Sequence, residues 1–337
     1  MGNQLRKKLK KTAICLLAII LVGCRTESII GESVSDLQTD LNNGKKTYSE
    51  LVVGYSQIGA ESEWRTGNTA STKEAAAELG VELIFSDAQQ KQENQIKAIR
   101  TFIAQQVDVI GVSPIYETGW ESVFQEAKEA GIPIILVDRR AVVSEDLYTT
   151  YLGADFVEEG RRAARVLVDL LQGSGNIAEL VGTEGSAPAI DRAIGFREII
   201  QDYPDMKIIV SETGDFTRAK GEEVMEGFLN VYGDQINALY AHNDDMAIGA
   251  IRAIEAYGLR PGKDIKIVSI DAIRDAFQAM IDGKINATIE CNPLLGPQFF
   301  ELALNVVNGE KVPKWIPSEE SIYFPEDAAE LLPTRKY

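Results

Sequence analysis

From residue 51 onward, short apolar segments alternate with longer segments of helical periodicity. A strand that is apolar along its whole length is typical of a parallel sheet covered by helices on both faces. Strands that alternate with helices indicate βαβ units. The apolar segments form two series: LVVGYS (51–56), VELIFSD (81–87), VDVIGVSP (107–114) and IPIILVD (132–138), then NIAELVG, MKIIVSETG, INALYAHN, IKIVSID and INATIECN. The sequence therefore predicts an α/β fold with two doubly wound parallel-sheet (Rossmann-like) domains, and 337 residues are enough for two cores.

No Pro- or Ser-rich linker separates the two series. The join is therefore predicted to be a short crossover at residues 148–155, which suits a hinge better than an independent linker.

The first 24 residues have the pattern of an export signal. Basic residues precede an apolar segment from Thr12 to Val22, which is shorter than the roughly 20 apolar residues of a membrane span. The ending LVGC resembles a bacterial lipobox, which predicts a lipoprotein signal peptide at 1–24 and lipidation of Cys24. A simple cleaved signal and a short uncleaved anchor are the alternatives. Residues 25–47 are mostly polar and predict a flexible tether.

Charge and composition argue against several classes of function. The formal net charge is −17, and loss of the basic residues of the signal makes it more negative, which argues against a nucleic-acid partner. Outside the signal, Cys291 is the only cysteine, so no intramolecular disulfide can form. With a single histidine and no paired cysteines, a zinc site or a Ser-His-Asp triad would need unusual ligands, and no metal site is predicted.

Polar residues occur at the carboxyl ends of several predicted strands. In open α/β sheets, ligands bind in the crevice outside these ends. Each such residue could instead cap the following helix, but their recurrence at several strand ends favours a shared site. The residues are Asp87, Gln89, Asp138, Arg139, Asn243 and Asp271.

Further residues are expected to face the same edge from neighbouring loops and helix starts. They are Glu61, Trp64, Arg65, Arg192, Asp215 and Phe216. Carboxylates accept hydrogen bonds from adjacent hydroxyls, guanidinium groups donate two in a fixed fork, and carboxamides do both. An aromatic ring packs on the C–H face of a sugar. The whole set predicts a binding site for a neutral polyol such as a sugar.

Several segments match one known family in order and spacing: VDRR, AIDRAIGF, GDFTRAKGEEVM, AHNDDMAIGAI and SIDA. From about residue 50 to 330, the chain resembles the periplasmic-binding-protein-like sugar receptors of ABC importers, in their ribose-binding branch. SQIGAESEWR, DAQQKQENQIKAIRTFIAQ and GDFTRAKG are especially similar to galactofuranose-binding members.

The resemblance implies a type I periplasmic binding protein fold with a multi-strand hinge. The implied lobes are residues 48–153 plus 292–317 and residues 154–291 plus 318–332. It also implies direct sugar contacts from Asp138, Arg139, Arg192, Asn243 and Asp271, with Trp64 and Phe216 at stacking or walling positions.

Two positions depart from the ribose binders. Arg65 stands where they carry a second aromatic residue, and Cys291 stands where they carry a glutamine. These departures argue against ribose itself, and the resemblance to galactofuranose-binding members implies galactofuranose or a related furanose or pentose as the ligand.

The function that the resemblance implies is capture of a monosaccharide by hinge closure and delivery to an ABC permease. Such a protein is not an enzyme, uses no cofactor, acts as a monomer outside the cytoplasm and meets the membrane only through its lipid. One alternative is a sugar sensor that reports to a sensor kinase or chemoreceptor. Another is a sugar-modifying enzyme, but no pair of cleft carboxylates is singled out as acid and base.

Overall fold

The computed structural model describes residues 44–337, so the predicted signal peptide, Cys24 and nearly all of the predicted tether lie outside it. Residues 45–337 form one compact unit. Along the chain, twelve strands and ten α-helices follow one another in this described part.

Each helix and strand has defined bounds. The strands are β1 Val52–Gln57, β2 Glu82–Asp87, β3 Val109–Val112, β4 Ile134–Val137, β5 Thr150–Gly153, β6 Gly175–Val181, β7 Met206–Thr213, β8 Ala238–Ala241, β9 Lys266–Asp271, β10 Ala287–Glu290, β11 Trp315–Pro317 and β12 Ile322–Tyr323. The α-helices are α1 Glu63–Leu79, α2 Gln92–Ala104, α3 Glu121–Glu129, α4 Phe156–Leu171, α5 Ala187–Ile200, α6 Arg218–Tyr232, α7 Asp244–Tyr257, α8 Arg274–Ile281, α9 Gly296–Val307 and α10 Pro325–Leu331.

The strands form two six-stranded sheets. The first has the order β11-β5-β4-β3-β1-β2 and the second the order β12-β10-β9-β8-β6-β7. All neighbours in the first sheet are parallel, whereas β12 pairs antiparallel with β10 at the edge of the second. We name the first sheet with its helices the N-lobe and the second the C-lobe. The predicted α/β class with two doubly wound sheets is confirmed, and the antiparallel edge strand is an addition to it.

Strand β5 lies inside the segment for which the sequence predicted only a crossover. Its four residues are fully covered, and the hydroxyl of Tyr151 donates to the carbonyls of Asp138 and Ala154. The chain then enters the C-lobe at α4. It returns to the N-lobe after β10 and crosses again between β11 and β12, so three described segments join the lobes.

Local sequence explains where the helices that flank the cleft begin. Side chains of Ser62, Asp155, Thr217 and Asn243 each accept a hydrogen bond from a backbone N–H of the first turn of α1, α4, α6 and α7, respectively. These caps satisfy N–H groups that have no partner inside a helix.

Each sheet buries apolar side chains on both faces. On one face of the N-lobe sheet Tyr55 packs edge-on against Phe299 of α9, and on the other Phe102 and Trp120 are buried. The C-lobe has one continuous core. Within residues 44–337, the helices are too short or too polar to cross a membrane.

Candidate functional site

A cavity lies where the carboxyl ends of the two sheets face each other. About 270 Å³ of space that is not filled by atoms lies here, part of it open to solvent. Its lining residues are Glu61, Ser62, Trp64, Arg65, Asp138, Arg139, Phe156, Pro188, Arg192, Phe216, Asn243, Asp271 and Cys291. The two lobes both contribute, so a ligand here would be enclosed between them.

Most of the residues predicted from the sequence come together in this cavity. They are Glu61, Trp64, Arg65, Asp138, Arg139, Arg192, Phe216, Asn243 and Asp271. Their contact with a ligand remains a prediction, but their convergence is a property of the fold.

Three predicted residues, Asp87, Gln89 and Asp215, do not line the cavity and are exposed. The Asp87 carboxylate accepts from the backbone N–H of Gln89 at 2.8 Å, and Asp215 accepts from the hydroxyl of Thr213 at 3.1 Å. Both carboxylates therefore stabilise local turns. For an acidic residue at the end of a strand, such a structural role is the general alternative to ligand binding.

The sequence analysis missed Ser62, Phe156 and Pro188 as lining residues. Ser62 caps α1, Phe156 opens α4 after the first crossing, and Pro188 lies in the first turn of α5. A search of the helix starts that follow the strand ends could have found them. Cys291, noted as a departure from the ribose binders, also lines the cavity.

The N-lobe wall of the cavity, which we define as Glu61, Arg65, Asp138 and Arg139, is a chain of alternating charges. Arg65 Nη2 lies 2.5 Å from Asp138 Oδ2 and 3.4 Å from Glu61 Oε1. Arg139 Nη2 donates to the same Glu61 oxygen at 2.6 Å. Because buried charges are tolerated only when paired, these ion pairs explain how four charged groups share one wall.

Burial and pairing act in opposite directions on the two arginines of this wall. Burial alone lowers the pKa of Arg65, but the carboxylates of Asp138 and Glu61 raise it above its usual value. For Arg139, burial lowers the pKa more than Glu61 and Asp138 compensate. Arg139 Nε also has no hydrogen-bond partner among the described residues. This buried donor would be satisfied by an acceptor such as a sugar oxygen.

The C-lobe wall, which we define as Arg192, Phe216, Asn243 and Asp271, is anchored to the lobe interior. Arg192 donates to the carbonyl of His242 at 2.6 Å and to Glu159 Oε2 at 2.7 Å. Its Nη2 lies 3.7 Å from Asp271 Oδ1. Burial raises the pKa of Asp271 well above its usual value, although Arg192 opposes this shift.

Asn243 has two roles at once. Its side-chain oxygen caps α7 by accepting from the N–H of Met246 at 3.0 Å, and its amide donates to the carbonyl of Phe216 at 3.1 Å. Capping and cavity lining are therefore compatible at this position.

Aromatic rings cover the polar groups from two sides. Trp64 donates through Nε1 to the carbonyl of Cys291 at 2.6 Å, and the Arg65 guanidinium lies 4.6 Å from the centre of its ring. The Phe216 ring lies 5.2 Å from the Arg139 guanidinium across the cleft. A side chain at Gly182 would overlap the Phe216 ring, so this glycine lets the ring lie against the strand end.

The backbone is strained at three lining residues. Asp138, Phe216 and Asp271 have φ values of 66°, 59° and 123°, which side-chain-bearing residues rarely adopt. Such conformations cluster at ligand sites because the surrounding structure must hold them.

Direct contacts join the lobes on both sides of the cavity. On one side Arg140 pairs with Asp191, and the N–H of Glu117 donates to the carbonyl of Gly185 at 2.9 Å. On the other, the N–H of Glu63 donates to Asp245 at 2.8 Å, and the Glu63 side chain pairs with Arg218. The cleft is closed in this arrangement.

Two α/β lobes that close over a polar, aromatic-lined cavity define a solute-binding protein. Residues 53–311 match the family described as the periplasmic binding protein domain, and the chain belongs to this family. Membership places the protein outside the cytoplasm.

Individual relatives cover most of the chain. It is 47% identical over 291 residues to the galactofuranose-binding protein YtfQ of Escherichia coli, covering 85% of this chain and 92% of that protein. Among solved structures, the binding protein of the arabinose ABC transporter from Shewanella sp. ANA-3, bound to α- and β-L-arabinofuranose, matches with a TM-score of 0.82 and 49% identity, covering 85% of this chain and 95% of that one. A Mycobacterium smegmatis protein in complex with β-D-fucofuranose matches with a TM-score of 0.83 and 52% identity over the same shares.

Proposed function

We propose that this protein captures one monosaccharide in its furanose form and delivers it to an ABC permease. The observation that carries this proposal is the closed cavity between the lobes, lined by paired charges and by aromatic rings. The relatives reported above are named for galactofuranose or are bound to arabinofuranose or fucofuranose. They are binding proteins, and this chain is a binding protein rather than an enzyme.

The enclosure of the cavity supports a small ligand. Both lobes line the cavity and contact each other on either side of it, which suits a ligand as small as a single sugar ring.

The charges of the cavity support a neutral ligand rich in hydroxyls. Each carboxylate of the N-lobe wall already has a guanidinium partner, so a charged ligand would leave one group uncompensated. Hydroxyl groups both donate and accept hydrogen bonds. They can therefore bind to the donors and acceptors of the cavity that the ion pairs leave without a partner. The unpartnered Nε of Arg139 and the buried carboxyl group of Asp271 are two such positions.

Hinge closure follows from the connectivity. The three crossing segments allow rotation of the lobes, while the contacts of Arg140 and of Glu63 across the cleft hold the closed form. We retain the lobe bounds 48–153 plus 292–317 and 154–291 plus 318–332 as part of this proposal. All strands of the first sheet lie within the first pair of ranges, and all strands of the second sheet lie within the second pair.

We also propose that residues 1–24 are a lipoprotein signal peptide, that Cys24 carries the lipid, and that the mature protein acts as a monomer. Support for the first two comes from the sequence pattern alone. Mass spectrometry of the membrane-associated protein tests lipidation directly, and a free Cys24 thiol in the mature chain would contradict it.

The experiment that tests the ligand is calorimetric titration of the full chain in a mild detergent after unfolding and refolding to remove bound sugar. Galactose, arabinose and fucose are each equilibrated to contain their minor furanose forms, beside methyl galactofuranoside and methyl galactopyranoside locked in one ring size. We expect binding of the free sugars at an apparent stoichiometry that reflects the scarce furanose, and no binding of the pyranoside. Equal binding of both ring sizes would contradict furanose selection.

A further inference from the structure

Behind the sugar cavity, three acidic side chains from separate segments converge. Glu159 lies in the first turn of α4, Cys291 follows β10, and Glu320 lies between β11 and β12. One carboxylate oxygen from each glutamate and the Cys291 Sγ all lie within 4.8 Å of one another. Because Cys291 and Glu320 lie on crossing segments, the cluster sits at the hinge.

One oxygen of this cluster's glutamates lacks a partner. Glu159 is 1% exposed. Its Oε2 accepts from Arg192 at 2.7 Å, whereas Oε1 has no hydrogen-bond partner among the described residues. A buried polar atom without a partner is costly and therefore points to a bound species.

The ligand set and the charge fit a divalent cation. A thiolate and two carboxylates are ligands that zinc accepts at a site with an open fourth position. The formal charges of Zn²⁺, the Cys291 thiolate, the two carboxylates and the Arg192 guanidinium add to zero, so the buried group would be compensated. Glu320 is only partly buried, which gives a path for entry.

We propose that Glu159, Cys291 and Glu320 form a zinc site at the hinge, with water as the fourth ligand. Binding breaks the S–H bond of Cys291, forms the Zn–S and Zn–O bonds, and releases the thiol proton to solvent. This ligand set contains no histidine and only one cysteine. It is unusual for zinc, as any zinc site must be in a chain with one histidine and no cysteine pair. Because the site ties α4 to two crossing segments, bound zinc stabilises the hinge.

The test is titration of the chelator-treated full chain with zinc chloride, in a background of Cys15→Ser and Cys24→Ser that leaves Cys291 as the only cysteine. We expect one zinc per chain, release of the Cys291 thiol proton measured in buffers of different ionisation enthalpy, and a rise in the unfolding temperature. With cobalt chloride, a thiolate-to-cobalt charge-transfer band reports the sulfur ligand.

The variants Glu320→Gln and Cys291→Ser should each weaken zinc binding at least roughly tenfold, and Cys291→Ser should abolish the cobalt band. The exposed neighbour Glu319 provides a matched control, since Glu319→Gln removes the same charge and should leave zinc affinity unchanged. Circular dichroism checks that each variant folds. The proposal is overturned if zinc does not bind, or if it binds equally well to the control and to both site variants. The three side chains would then only share protons with one another.

Discussion

The two walls of the cavity solve the problem of buried charge in different ways. In the N-lobe wall, two arginines and two acids neutralise one another, and Glu61 serves both arginines. In the C-lobe wall, Arg192 is held by a backbone carbonyl and by Glu159, which lies behind the wall. The charges of the N-lobe wall therefore compensate one another, whereas the charge of Arg192 in the C-lobe wall is compensated by groups in the lobe interior.

This difference assigns different tasks to the two walls. The shared pairs of the N-lobe wall can be rearranged when hydroxyl groups enter, because each arginine retains a carboxylate. Arg192 has a fixed position, so the C-lobe wall provides a rigid surface against which a ligand can be oriented.

The largest effect is expected for Arg192→Ala. The variant leaves Glu159 buried without its cation, so we expect a loss of about 3–5 kcal/mol in the free energy of unfolding, measured by denaturant titration. Arg65→Ala is the comparison, because Arg139 stays close to both acids of the N-lobe wall and the loss should be smaller. Equal losses in the free energy of unfolding would show that both walls depend on their arginines to the same extent.

Arg139→Ala should mainly weaken sugar binding. Arg139 faces the cavity with a free donor, so we expect a loss of about 2–5 kcal/mol in binding free energy, measured by calorimetry with the sugar that binds best. Arg100 is exposed on α2 of the same lobe and lies outside the cavity, so Arg100→Ala is the control. A wild-type affinity in Arg139→Ala would remove this residue from the site.

Low pH should weaken the contacts behind the C-lobe wall and so lower the free energy of unfolding. Glu179 lies behind His242 and accepts from both Nη atoms of Arg197, at 2.9 and 2.6 Å, and from Ser211. Burial opposes ionisation, but these donors and His242 lower the pKa of Glu179 to about 2. The folded-state pKa is below the unfolded one, so the stabilisation of about 3 kcal/mol is present above pH 4.5 and is lost as the pH falls towards 2.

Thermal unfolding between pH 7 and pH 3 measures this loss. Glu179→Gln should be less stable than the wild type at pH 7, and the difference should shrink as the pH falls. A difference that stays constant with pH would mean that the pKa of Glu179 is the same in the folded and the unfolded protein.

The smallest effect is expected at the rim. Glu63 pairs with Arg218 across the cleft, but its side chain is 43% exposed. Glu63→Gln should change sugar affinity by no more than about 1 kcal/mol, and the change should vanish at high salt. Calorimetry at low and high ionic strength measures both, and a larger, salt-independent loss would make this contact part of the closing mechanism.

The position of each strand in its sheet explains which site residues the sequence could predict. Asp138 and Asp271 lie at the carboxyl ends of inner strands, so the strand-end rule places them at the central crevice. Asp87 ends β2 and Asp215 follows β7, and both are edge strands. The same rule does not lead to the cavity from an edge strand, and strand order cannot be read from one sequence. Phe216 also follows β7, yet its ring reaches the cavity over Gly182.

The pairing of the charges could not be predicted either. Sequence separates Glu61 from Arg139 by 78 positions and Glu159 from Arg192 by 33. Their contacts depend on how helices and strand ends pack within each lobe, which residue types and spacing do not determine. The fold class, by contrast, follows from local apolar periodicity, which each segment carries by itself.

The repeated crossing of the chain has a consequence for its synthesis. The N-lobe sheet is completed by β11 and covered by α9, both of which come after the whole series β6 to β10 of the C-lobe. A nascent chain therefore cannot finish its first lobe until residue 317 has been made. The C-lobe sheet is completed later still, by β12 at Ile322–Tyr323, so neither lobe has its full sheet until nearly the whole chain has been synthesised.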